Sequence, residues 1–239
     1  MAEISHCLYC FDVLASSLSK KTPLSLSEIE TAYHDLRLQK SSLTNGVTNR
    51  TTNGITTNGT SVNGHSATNG TSKPERPLFV TWNLVKPEGK QLRGCIGTFS
   101  DQELEEGLRT YALTAAFDDT RFNPIDRKEL ASLECAVSIL TDFEPAADAF
   151  DWGLGTHGLR ISFTYHGRRL GATYLPDVPV EQGWTQEKTL ISLMRKAGWG
   201  GKSASWRDVN IQVTRYKGTK ANVSWDEYKE LKEFLEKKA

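Results

Sequence analysis

The chain has 239 residues, and at ~150 residues per domain this allows one or two domains. Its 29 basic residues balance 29 acidic ones, which argues against a strongly basic nucleic-acid binder and against a polybasic membrane-surface protein. No apolar run approaches the ~20 residues of a bilayer-spanning helix, and four cysteines in a chain of this length do not make a disulfide scaffold.

The N-terminal stretch lacks a positive n-region, and Asp12 interrupts its apolar residues, so no secretory signal is expected. Cys7, Leu8, Phe11, Leu14, Ala15 and Leu18 fall on one helical face, and Thr22-Pro23 stops that helix. Ser25-x-x-Glu28 and Ser27-x-x-Glu30 both read as capping boxes for a second helix, with Ile29, Ala32, Tyr33 and Leu36 as its stripe. Residues 41–72 break the pattern. Ser, Thr, Asn and Gly fill 25 of these 32 positions, and Asn-Gly occurs five times at uneven spacing. Too little apolar surface is available there to offset the entropy of ordering, so the tract reads as a disordered insertion. The remaining 207 residues, 1–40 and 73–239, could form one sizeable core or two small lobes around it.

After the tract, residues 78–85 and 92–99 read as strands joined by a turn at 87–90. Ser100-x-x-Glu103 predicts the start of a helix running to about Phe117. A third strand is predicted over 134–143, and a hairpin over 159–166 and 168–175, turning at Gly167. Thr185 caps a helix carrying Leu190, Leu193 and Met194, with Gly198 just past its end. A last strand at 210–216 precedes a helix opened by Ser224-x-x-Glu227. Strands and helices mix without βαβ alternation, which predicts an α+β fold with mixed or antiparallel sheets flanked by helices.

Three segments carry candidate chemistry. In Leu92-Arg93-Gly94-Cys95-Ile96-Gly97, alternation places Arg93, Cys95 and Gly97 on one face of a strand. A fixed cation, a thiol and an open space beside a helix start suit binding of a carboxylate or phosphate, or activation of Cys95. The competing reading makes Cys95 a small buried filler, and makes Gly94 and Gly97 packing solutions. In Asp118-Asp119-Thr120-Arg121-Phe122, Arg121 is either a second anion clamp oriented by Asp119 or half of an ion pair fixing the loop. His157, in a glycine-rich loop, supplies the base that thiol catalysis by Cys95 requires if the two are adjacent. His6, Cys7 and Cys10 have half of a zinc spacing, but they lie on an amphipathic stripe with no second pair. Core packing is the reading adopted for them, and no metal or cofactor is expected.

Together these segments resemble the AMMECR protein family. The hexapeptide 92–97 looks like that family's signature. Cys10–Leu14, Pro77–Trp82, Asp119–Pro124, His157-Gly158, Thr173–Pro176, Glu181–Trp184 and Leu193–Gly198 resemble further family blocks in family order. The resemblance covers residues 7–18 and 77–228 and is strongest to the eukaryotic branch. The 41–72 tract departs from it, since near relatives have a shorter connection there. The resemblance implies two unequal lobes, with the hexapeptide near the groove between them. It implies no particular reaction. Microbial relatives are linked with Memo-type and radical SAM proteins, and eukaryotic ones with the cytoplasm or nucleus and with regulatory partner binding.

The residue inventory favours a binding or regulatory adaptor over an enzyme. Arg93, Gly94, Cys95, Gly97, Asp119 and Arg121 would receive an anionic group, small or on a protein partner, with no nucleic acid and no membrane involved. The alternative is a thiol-dependent enzyme, or an accessory subunit of a modification pathway, using Cys95 with His157. Oligomeric state is left open by the sequence.

Overall fold

The computed structural model describes residues 1–45 and 75–238. From residue 46 onward, the expected insertion lies outside these residues. Residues 41–45 continue the second helix, which runs Leu26–Asn45.

Two helices open the chain, α1 (Ile4–Ser19) and α2 (Leu26–Asn45). Lys20, in the left-handed conformation (φ 54°), ends α1 before Thr22-Pro23 is reached. Of the two capping boxes, Ser25 with Glu28 forms: the Ser25 amide donates to Glu28 and the Glu28 amide donates back to Ser25 Oγ. Ser27 lies inside the helix.

Strands β1 (Glu75–Lys86) and β2 (Gly89–Glu103) pair in register from Thr81 opposite Cys95 to Phe79 opposite Gly97. The helix predicted from Ser100 starts instead at Leu104, as α3 (Leu104–Phe117), because β2 stays paired as far as Glu103 opposite Glu75. Glu103 itself caps α3, its side chain accepting from the Glu106 amide. Strand β3 (Leu133–Pro145) follows, then the hairpin β4 (Gly158–Tyr165) and β5 (Arg168–Tyr174). The hairpin turns on two positive-φ residues, His166 (49°) and Gly167 (74°), the twist-matched two-residue connection. Between the hairpin and the next helix, Pro176 leads into a short helix, α4 (Asp177–Glu181). Helix α5 (Gln186–Lys196) is capped by Thr185 and closed by Gly198 at φ 103°. Strand β6 runs Gln212–Ser224, longer than predicted, because its second half pairs with β3 and its first half with β4. Helix α6 (Trp225–Lys238) ends the described chain, opened by the Ser224–Glu227 box.

The six strands make one antiparallel sheet in the order β2-β1-β3-β6-β4-β5, so the fold is α+β. Two unequal cores share it, matching the two lobes implied by the family resemblance. The larger packs α1, α2, α3 and α6 on β1, β3 and the second half of β6, around Phe11, Trp82 and Tyr228. The smaller packs α5 on the β4–β5 hairpin, around Leu193, Met194, Trp152, Trp199 and Trp206. Leu159, Ile161 and Phe163 point into this core, so the alternate residues Arg160 and Ser162 lie on the opposite face. The sheet is strongly curled. Phe99 of β2 meets the ring of Tyr216 of β6 at 5.8 Å, although β1 and β3 intervene in the strand order. No helix among the described residues is long and apolar enough to cross a membrane.

Candidate functional site

The hexapeptide lies on β2, at one edge of the sheet. Its glycines are required by packing. A Cβ on Gly94 would overlap the carbonyl oxygen of Ala115 in α3, and one on Gly97 would overlap the backbone and ring of the β1 residues Leu78 and Phe79. Helix α3 is held against this sheet from below as well, by the Trp82 indole N–H donating to Ala112 O at 3.0 Å.

Arg93 is largely covered by the loop that follows α3. Its guanidinium forms a two-pronged pair with Glu129 (2.7 and 3.0 Å) and donates to the carbonyls of Asn123 (2.6 Å) and Pro124 (3.3 Å). The Arg93 guanidinium holds the Glu129 carboxyl below its ordinary range. Four of the five N–H donors of this cation are therefore committed to folding the 123–129 segment back onto the strand.

Asp119 and Arg121 cap the open edge of β2. The Cys95 amide donates to Asp119 Oδ2 at 2.9 Å, and Arg121 donates to the Cys95 carbonyl at 3.2 Å. One residue's two outward backbone groups are thus satisfied as a neighbouring strand would satisfy them. Arg121 also grips Asp119 with Nε and Nη2 at 2.9 and 2.6 Å. The Arg121 guanidinium, followed by the Cys95 and Arg121 amides, holds the buried Asp119 carboxyl far below the usual carboxylate range. Arg121 itself stays about half exposed, with 55% of its side-chain surface open.

The Cys95 thiol is half-buried, and its sulfur accepts from the Thr81 hydroxyl at 3.0 Å. The structure brings Arg93, Cys95, Asp119 and Arg121 together and does not join His157 to them by any hydrogen bond among the described residues. The His157 Nδ1 accepts from the Gly153 amide at 3.0 Å, closing its own loop. Cys7 and Cys10 are fully buried beside Cys135 in the larger core, and burial pushes the Cys135 thiol up. Among the described residues, no group of three histidine, cysteine or acidic side chains is placed to hold a metal ion.

The curl creates a second feature, one that periodicity did not mark. A groove of about 560 Å³ opens on the face opposite the cores, between Phe99 of β2 and the β4–β5–β6 strands. Arg160, Ser162, Arg169, Gly171, Gln212 and Thr214 line it, and no acidic residue does. Arg160 and Arg169 have no carboxylate partner among the described residues. Beside the groove, Lys196 of α5 donates to the Thr173 carbonyl of the other sheet edge at 3.0 Å and lies over the Tyr174 ring at 4.7 Å. Burial, and then the charge of Arg121, depress the Lys196 ammonium. The sequence signal for the groove, polar residues alternating along β4 and β5, is the same one that any solvent-facing strand surface gives.

Comparison with known proteins comes down to one family. The AMMECR1 family model matches residues 7–221. An uncharacterized protein of Schizosaccharomyces pombe is 49% identical over 152 residues, covering 64% of this chain and 77% of that protein. An uncharacterized protein of Arabidopsis thaliana is 46% identical over 155 residues, covering 64% and 72%. The crystal structure of an uncharacterized protein from Pyrococcus horikoshii superposes with a TM-score of 0.53 at 30% identity, covering 63% of this chain and 74% of that one.

Proposed function

The chain belongs to the AMMECR1 family, and from that premise we propose that it acts as a binding module, a regulatory adaptor that receives an anionic group in the groove beside the hexapeptide. The observation that carries this reading is the groove's lining. It holds two arginines without carboxylate partners, several short polar side chains and no acid. An unpaired guanidinium in a concave site is poised for a carboxylate or phosphate, which it can meet with two parallel hydrogen bonds.

The hexapeptide's part in this reading is architectural. Arg93, Gly94, Gly97 and Asp119 fix the edge strand and its loop, and so set the wall from which Phe99 faces the hairpin. Arg121 keeps half its surface open at the same edge while its charge is paired with Asp119. Binding needs no general base, which agrees with a Cys95 sulfur whose hydrogen-bond partner is the Thr81 hydroxyl and with a His157 tied to Gly153.

The test is capture from cell extract on purified full-length bait, wild type against the Arg160→Ala/Arg169→Ala double variant. Both side chains are exposed and unpaired, so the double variant should unfold at the wild-type temperature. A defined set of bound components present with the wild type and lost with the variant is the expected result. An unchanged set would overturn the proposal.

A further inference from the structure

The groove lining also defines a ligand class. We propose that it takes a small phosphomonoester whose carbon portion is flat or apolar, an inference that rests on the groove being the binding site.

The argument starts from strand register. Arg160 sits opposite Thr173, and Arg169 opposite Thr164, so their Cα positions lie about 13 Å apart along the hairpin. Between them, Ser162 faces Gly171, which has no side chain. Two long cationic side chains thus flank a gap in the floor, and both line the same cavity. The third strand supplies neutral donors. Ser162 Oγ lies 3.2 Å from Gln212 Oε1, so the hydroxyl occupies the acceptor end of that amide and leaves the amide N–H₂ for a ligand. Thr214 adds a hydroxyl on the same strand face.

Two guanidiniums, an amide N–H₂ and a hydroxyl suit an anion with two charges and three acceptor oxygens, more than a single carboxylate with two. Phe99 forms the opposite wall and offers an aromatic surface to the rest of the molecule. The groove's volume, about 560 Å³, is that of a small-molecule site. Without an acid in the lining, the site offers no competing partner for the cations.

Equilibrium binding to the purified full chain tests this with three probes: adenosine monophosphate, adenosine and inorganic phosphate. The monophosphate is expected to bind saturably, adenosine about tenfold more weakly or not at all, and inorganic phosphate to compete with the monophosphate. Arg160→Ala and Arg169→Ala should each weaken the monophosphate about tenfold or more. Phe99→Leu should weaken the monophosphate and leave inorganic phosphate unchanged. Affinity should rise from pH 5 to pH 7 as the second phosphate proton, with its pKa of ~6, is lost. The arginines stay charged throughout. Equal binding of adenosine and its monophosphate, no saturable binding of either phosphate probe at millimolar concentration, or binding indifferent to both arginine substitutions would overturn the inference. If the phosphate probes fail while captured components still depend on Arg160 and Arg169, the ligand class falls and the binding module stands. If that dependence is lost too, both fall.

Discussion

Gly94 shows how a residue can be distinctive in sequence for reasons of packing. Its α-carbon sits against the Ala115 carbonyl, which belongs to helix backbone and cannot rotate away. Gly94→Ala should therefore cost about 3 kcal/mol or more in a denaturant melt, and a loss below about 1 kcal/mol would show that the strand and α3 can move apart. Asp119 gives a pH signature. Its folded carboxyl is held far below the ~4 of an unfolded aspartate, so the stability it contributes is full above about pH 4 and fades as pH falls further. The difference in unfolding free energy between wild type and Asp119→Asn should accordingly be widest near neutrality and narrow below about pH 4. A difference that stays constant through that range would contradict the ion pair. At this scale the sequence marked Arg93, Cys95 and Arg121 as unusual. It marked Asp119 as the partner of Arg121, two positions away, but not the partners of Arg93 and Cys95, because Glu129 and Thr81 lie 36 and 14 positions from them and meet them only through the fold.

Among elements, the capped helices were the most legible, because Ser25–Glu28, Thr185 and Ser224–Glu227 are local arrangements that fold as they read. The cap of α3 lies three residues beyond the one the sequence predicts. Ser100-x-x-Glu103 has the form of a capping box, yet pairing with β1 keeps those residues extended, and Glu103 takes over as cap. Tertiary pairing outweighed a local signal worth about 1 kcal/mol. The second half of the loop after α3, from Asn123 to Glu129, is tied to β2 through the Arg93 side chain. Arg93→Ala would leave Glu129 and the carbonyls of Asn123 and Pro124 without their donor, at a cost of about 2–3 kcal/mol. Amide exchange should then accelerate across residues 123–129 before the rest of the molecule. Uniform acceleration, or none, would mean that the loop is held by something else.

For the whole molecule, the chain's two ends are fastened through Asp12. This carboxylate is buried in α1, accepts from Tyr228 Oη (2.8 Å) and Lys232 Nζ (3.0 Å) of α6, and also takes the Leu24 amide (2.8 Å). Burial, and then the Asp12 charge, push the Tyr228 phenol well above its ordinary range. Asp12→Ala should cost about 2–3 kcal/mol, since it strands a buried hydroxyl and an amide together. Retention of wild-type stability would remove this link between α1 and α6. Mixed strands and helices sufficed to read the α+β class. The curl did not follow from them, because it is a property of the assembled sheet, in which β6 alone of the strands runs from one core to the other. The groove exists only because of that curl, so Arg160 and Arg169 stayed hidden among ordinary alternating polar residues.

The central claim is that the molecule acts by holding an anionic group in this groove rather than by chemistry at its half-buried thiol. The most direct measurement is quantitative capture from one cell extract on three fold-checked baits: wild type, Cys95→Ser and Arg160→Ala/Arg169→Ala. The account predicts that Cys95→Ser retains the wild-type components while the arginine variant loses them. Loss with Cys95→Ser and retention with the arginine variant would contradict it.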